Sequence, residues 1–218
     1  MIRVYGTSNT RAFRVLWMLE ELGVPYELVK TDFHTGATRA PEFLKLNPNG
    51  RVPVLQDGEL VLFESLAINL YLAETYGRDS LWPKGASDRA RTVQWSFWAM
   101  TECERNLFAV LLQSGGEQFE TWRAWTETPE FRETHPGQRM PSAEEGRAAL
   151  QHPLRALDSH LDGRGNILGG GFSAADLNVA SVLVTARLAP LDLGAFPSLD
   201  AWLTRATSRA ALAAAAQK

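Results

Sequence analysis

Apolar and polar positions alternate at the start of the chain, with Ile2 and Val4 against Arg3 and Tyr5, and this two-residue period predicts a short strand. The turn at residues 6–9 carries helix-capping chemistry, and Ala12, Val15, Leu16, Leu19 and Leu22 then recur at helical spacing until Gly23 and Pro25 stop the run. A second strand fits Tyr26–Lys30, followed by a polar stretch and a short helix over Pro41–Leu46. The run Val52-Pro53-Val54-Leu55 and the run Leu60-Val61-Leu62-Phe63 are separated by Asp57-Gly58, residues that tolerate the positive φ of a tight hairpin turn. A helix over Ser65–Tyr76, closed by Gly77, completes a β-α-β-α-β-β-α order, which a mixed sheet covered by helices satisfies.

Beyond this point only helical periods remain. Residues 79–88, with Trp82-Pro83-Lys84-Gly85, read as a linker, and residues 89–113 as one long helix with Val93, Phe97, Met100, Leu107, Phe108 and Leu111 facing inward. Ser142-x-x-Glu145 is a capping box for a helix that Pro153 bends. Ser173-x-x-Asp176 opens a very apolar helix running to about Ala189, suited to the centre of a bundle, and an Ala-rich helix from Ser198 ends the chain. The composition shift predicts an α/β domain over residues 1–78 and an all-α helical bundle over residues 89–218. Residues 115–141, rich in Trp, Glu and Thr, fit either a helix extension plus a loop over a ligand cleft or ordinary packing of aromatics at a helix junction.

Composition narrows the chemistry. The 22 basic and 25 acidic residues are mixed along the chain, so no basic face for nucleic acid is expected. No apolar run approaches the roughly 18–20 residues of a membrane span. The start of the chain lacks a secretory pattern, so a cytoplasmic protein is expected. Cys103 is the only cysteine, which excludes an intramolecular disulfide and a Cys-rich zinc site, and the four histidines show no metal-ligand spacing, so no metal is expected.

Two stretches carry a resemblance. Asn47-Pro48-Asn49-Gly50-Arg51-Val52-Pro53-Val54-Leu55 is similar to the loop and strand that hold the cis-proline of the glutathione S-transferase family, and Phe63-Glu64-Ser65-Leu66-Ala67-Ile68 resembles its Glu-Ser dipeptide at a helix start. The resemblance covers essentially the whole chain. It implies a thioredoxin-like N-terminal domain that binds glutathione as co-substrate, a helical C-terminal domain and a homodimer.

Each motif has its own physical sense. A cis peptide before Pro53 turns the N–H and C=O of Val52 outward, where they can pair with the cysteinyl part of a tripeptide. Ser65 and the first N–H groups of its helix suit the γ-glutamyl carboxylate, and Glu64 suits the γ-glutamyl ammonium. Arg51, and after it Arg39, are candidates for the glycyl carboxylate. A thiol with a pKa near about 8.5 must be activated, and a hydroxyl or amide at the start of the first helix can hydrogen-bond the thiolate. Ser8, Asn9 and Thr10 all remain open, with Asn9 first because Asn-Thr-Arg resembles an Asn-Ser-Arg turn of bacterial members. Tyr5 falls inside the strand and is read as structural. No cysteine stands at the start of the first helix, which disfavours disulfide exchange through a protein thiol.

The second substrate, an apolar electrophile, is expected between the domains, against the long helix bearing Trp95, Trp98, Thr101, Glu102 and Arg105. The function implied is conjugation of glutathione to a small electrophile in detoxification. A non-catalytic relative that binds glutathione or a partner protein is the alternative.

Overall fold

The computed structural model describes residues 1–78, 80–114, 116, 119–134, 139–189 and 191–218. Four strands, β1 (Ile2–Gly6), β2 (Tyr26–Lys30), β3 (Val54–Asp57) and β4 (Leu60–Phe63), form a mixed sheet in the order β2-β1-β3-β4. β1 and β2 run parallel with Val4 opposite Leu28, a pairing that needs a crossover, and α1 (Ala12–Leu22) provides it. β3 is antiparallel to both neighbours, with Leu55 opposite Val4 on one side and Leu62 on the other. Helices α2 (Pro41–Leu46) and α3 (Ser65–Tyr76) complete the predicted β-α-β-α-β-β-α order. The Val52–Pro53 peptide is cis, and strand β3 starts two residues later than the apolar run, at Val54, because Pro53 has no N–H for a ladder.

The remaining described elements are helical: α4 (Ala86–Trp98), a wide π-type turn over Ala99–Glu104, α5 (Arg105–Ser114), α6 (Glu120–Thr126), α7 (Pro129–Thr134), α8 (Ala143–Leu161), α9 (Ala174–Leu183), α10 (Thr185–Leu188), α11 (Pro197–Thr207) and α12 (Ala210–Ala216). Both predicted capping boxes form, and Pro153 lies buried within α8. All of α9 is buried, which places it at the centre of the bundle. Its first turn is anchored by the Asp176 carboxylate, which accepts from the Ile167 N–H, the Ser173 N–H and hydroxyl, and the Trp202 indole.

One inward face differs from the periodic reading. Phe97 is 66% exposed and Val93 36%, whereas Thr92, Ser96, Ala99 and Cys103 are buried. The reason is the neighbour: α4 lies against α9, where small side chains permit close approach and a polar chain replaces apolar contact. In that chain the Asn69 amide donates to Asn178 Oδ1 at 2.9 Å and the Asn178 amide to Ser96 Oγ at 2.8 Å, joining α3, α9 and α4 across the two domains. The final helix is also interrupted, at residues 208–209, and α12 turns back to pack on α1, where Arg209 holds Glu21 with two bonds of 2.6 and 2.7 Å. Within the segment expected as a linker, Leu81 and Trp82 are buried, and the Leu81 carbonyl accepts from the Ala174 N–H. Residue 79 lies outside the described residues.

Candidate active site

The turn from β1 into α1 is built by its own side chains. The Thr10 N–H and hydroxyl both donate to the Thr7 carbonyl, the hydroxyl at 2.8 Å, and Thr10 Oγ1 accepts from the Ala12 N–H at 3.2 Å. The Thr7 hydroxyl donates to Asn9 Oδ1. This arrangement sends Thr10 to the cleft between the domains, while Ser8 and Asn9 are not among the residues that line it, and Asn9 is exposed. Tyr5 stays on the sheet, where its hydroxyl donates to Gln56 and its ring meets Phe43 edge-on.

The cleft has a volume of about 330 Å³. Its floor brings together Thr10, Arg39, Arg51, Val52, Pro53, Glu64 and Ser65. These seven predicted residues come from four separate segments. The Asn47 side chain braces the loop before Pro53, donating to the Arg51 carbonyl at 2.8 Å and accepting from the Asn49 N–H at 3.0 Å. At Gly50, φ is +59°, and a Cβ there would stand 2.7 Å from Arg39 Nη1, so glycine is what lets the Arg39 guanidinium lie beside the loop. Glu64 is the only non-glycine residue with positive φ among the described residues, at 72°, and its side chain caps nothing although it directly precedes α3. Its carboxylate is thus left for the cleft. A backbone outlier of this kind is costly for a side chain such as Glu and clusters at functional sites.

Behind the floor sits an ionic group that periodicity does not reveal. Arg14, 5% exposed, donates through Nη2 to Glu104 Oε2 and through Nη1 to Ser65 Oγ at 3.4 Å, while Arg11 Nε donates to Glu104 Oε1 at 2.6 Å. Burial alone would raise the Glu104 carboxyl, but the charges of Arg14 and Arg11 outweigh it and hold it down to about 2. Burial also lowers the Arg14 guanidinium, which the Glu104 charge opposes. Cys103, one residue before Glu104, is pushed up to about 12 by burial and by its acidic neighbours, so its thiol stays protonated at neutral pH.

The opposite wall comes from the helical domain. Met100, Glu104, Arg105 and Phe108 reach the cleft from the wide turn and α5, and of the five residues expected on the long helix only Arg105 does so. Trp95 and Trp98 pack on each other, Trp95 also on His160. The wide turn spends more than the usual 3.6 residues per turn and rotates α5 relative to α4, so a phase carried forward from Val93 points to the wrong face. Helices α6 and α7 then cover the site. Trp122, Trp125 and Phe131 line the cleft with Phe33 of the N-terminal domain, the Phe33 and Trp122 ring centroids being 4.7 Å apart. The aromatic stretch at 115–141 thus does both things its composition suggested, packing ring on ring while facing the cavity. Residues 115, 117, 118 and 135–138 of that stretch lie outside the described residues. No group of side chains suited to a metal ion occurs among the described residues, and no helix there is long and apolar enough to cross a membrane.

Residues 1–74 match the family model of the glutathione S-transferase N-terminal domain and residues 140–205 that of the C-terminal domain. Among curated relatives, glutathione S-transferase GstB of Escherichia coli is 38% identical over 124 residues, 54% of this chain and 60% of that protein, so the chain spans less than two thirds of the relative's length. Elongation factor 1-gamma 3 of rice (Oryza sativa) is 32% identical over 79% of this chain and 37% of its own. The theta class glutathione S-transferase of Xanthomonas axonopodis pv. citri, solved with glutathione bound, superposes with a TM-score of 0.80 at 28% identity, covering 100% of this chain and 97% of that one. With both domains matched in chain order around a shared cleft, this chain belongs to the glutathione S-transferase superfamily.

Proposed function

We propose that this protein is a glutathione transferase, in which the cleft floor binds glutathione and activates its thiol for attack on an electrophile held under the aromatic wall. The observation that carries this reading is the convergence of Val52, the Glu64–Ser65 pair, two arginines and Thr10 on one face of the cleft. Val52 pairs with the cysteinyl backbone, Glu64 takes the γ-glutamyl ammonium, Ser65 and the first N–H groups of α3 take its carboxylate, and Arg51 with Arg39 takes the glycyl carboxylate. The sulfur then lies at the start of α1. The thiol proton leaves to solvent, the Thr10 hydroxyl turns from the Thr7 carbonyl to donate to the thiolate, and the sulfur forms a bond to carbon as the leaving group departs with its electron pair. Thr10 takes this role rather than Asn9 because it alone of the three turn candidates lines the cleft.

Pairing into a homodimer, a cytoplasmic location and a part in detoxification go with this reading. Phe97 and Phe63, respectively 66% and 38% exposed, are apolar surface that pairing would cover. The likeness to an elongation factor subunit favours a second reading, a relative that binds glutathione or a partner protein without turnover. Isothermal titration of glutathione into the parent protein and into Ser65→Ala, followed by a conjugation assay, separates them. Binding weakened in the variant, with saturable conjugation, supports the transferase; binding without conjugation supports the second reading; no binding at several millimolar, of the order at the weak end of ordinary ligand affinities, sinks both glutathione readings.

A further inference from the structure

Among the described residues, the aromatic wall of the cleft carries more positive charge than the one carboxylate on that wall balances, the other cleft carboxylate, Glu64, standing on the floor. Arg11 and Arg14 share one carboxylate, Glu104, so this trio retains one net positive charge at the cleft. The Arg11 guanidinium lies 5.6 Å from the centre of the Phe108 ring. Arg105 lines the same wall, and its described hydrogen bond runs to a neutral group, the Arg139 carbonyl. Among the described residues Arg105 forms no ion pair. Trp122 packs onto the same wall, meeting Phe108 edge-on at 5.8 Å and Trp125 at 6.1 Å. A slot with aromatic faces and guanidinium groups at its edge recognises a flat ring that bears a negative charge. A neutral apolar ring would bury the faces equally well but leave the guanidinium charge facing aromatic surface without a counter-ion.

Resting on the transferase reading, we propose that the second substrate is an aryl electrophile carrying an anionic group, with its ring in the slot beside Trp122 and Phe108 and its anion on Arg105. Arg105 is then the residue that sets substrate class. The reaction is aromatic substitution: the glutathione thiolate adds to the ring carbon bearing the leaving group, the C–S bond forms, the C–Cl bond of a chloroarene breaks, and chloride leaves with the electron pair. Arg11, held at its Nε edge by Glu104 and lying over the Phe108 ring, adds its charge to the same wall.

The test compares 4-chloro-3,5-dinitrobenzoate with its methyl ester, each kcat/KM divided by the uncatalysed rate constant with glutathione. The expected result is a preference of at least about tenfold for the carboxylate in the parent protein, the size of a charge-assisted hydrogen bond. That preference should fall toward one in Arg105→Met, recover in part in Arg105→Lys, and shrink as salt is raised. Titration of the two S-aryl glutathione products gives the same comparison as a ratio of Kd values, without turnover. If glutathione binds and the parent treats the carboxylate and ester alike, or if the preference survives in Arg105→Met, this inference is overturned while the transferase reading stands. If glutathione itself does not bind, both fall.

Discussion

Replacing Glu104 by Gln removes the carboxylate paired with the buried Arg14, and the geometry sets its cost. Glu104 and Arg14 side chains are 12% and 6% exposed, so solvent screens the pair little. The carboxyl is held at about 2 against an ordinary value of 4.5. That difference corresponds to roughly 3 kcal/mol at pH 7, and breaking one side of a buried ion pair costs roughly 3–5 kcal/mol. Because the folded pKa lies below the unfolded one, the stabilisation is complete above the unfolded value and is lost as pH falls through the folded one. By this linkage less than half of the carboxyl's contribution remains at pH 3. Urea unfolding of parent and Glu104→Gln at pH 7, 5 and 3 should therefore show a gap of about 3–5 kcal/mol at pH 7 that is nearly kept at pH 5 and at least halved at pH 3. A gap below about 1 kcal/mol at pH 7, the range of an exposed pair, or one that does not change down to pH 3, would refute the reasoning.

Further expectations concern other links of the same chain. Thr10→Val should raise the thiol pKa of bound glutathione, read from thiolate absorbance against pH, and lower kcat/KM by roughly 10²-fold or more, while Asn9→Ala and Ser8→Ala stay within about twofold; equal losses in all three would assign the turn a merely structural role. Asp176→Ala strips four hydrogen bonds from one buried carboxylate and should destabilise the fold by roughly 3–5 kcal/mol in urea, and an unchanged midpoint would contradict the anchoring role. Trp122→Ala should raise KM for an aryl electrophile several-fold and leave the Kd for glutathione within about twofold, since an aromatic contact is worth roughly 0.5–1.5 kcal/mol beyond area; a matched loss in both would mean that α6 supports the floor instead. Phe97→Glu should shift a dimer toward monomer in light scattering, because a carboxylate is costly in an apolar interface; an intact dimer would place the contact elsewhere.

Local physics wrote much of this molecule into its sequence. The alternation at Ile2–Gly6, the Asp57-Gly58 turn, the two Ser-x-x-acid boxes and the proline and glycine stops each act within a few residues, so each was legible without the fold. The floor residues were legible for a similar reason: Val52-Pro53 and Glu64-Ser65 sit at element boundaries where backbone groups are freed, and their pattern is short and contiguous. What escaped depended on distant partners. Arg14 falls among the apolar residues that open α1, and nothing near it in the chain announces Glu104, ninety residues away. Phe97 and Val93 look inward by period alone, yet the small faces of α4 and α9 and the Asn69–Asn178–Ser96 chain turned the helix the other way. The wide turn at Ala99–Glu104 shifted the phase again, bringing Glu104 and Arg105 to the cleft and leaving Trp95 and Trp98 packed apart from it. That Thr10 and not its neighbours lines the cleft goes with a single hydrogen-bonded turn, below the resolution of any residue pattern. Sequence by itself determined the elements and the chemistry available; which side chains face one another was decided by packing, since burial rewards the arrangement of the whole and not the period of any one segment.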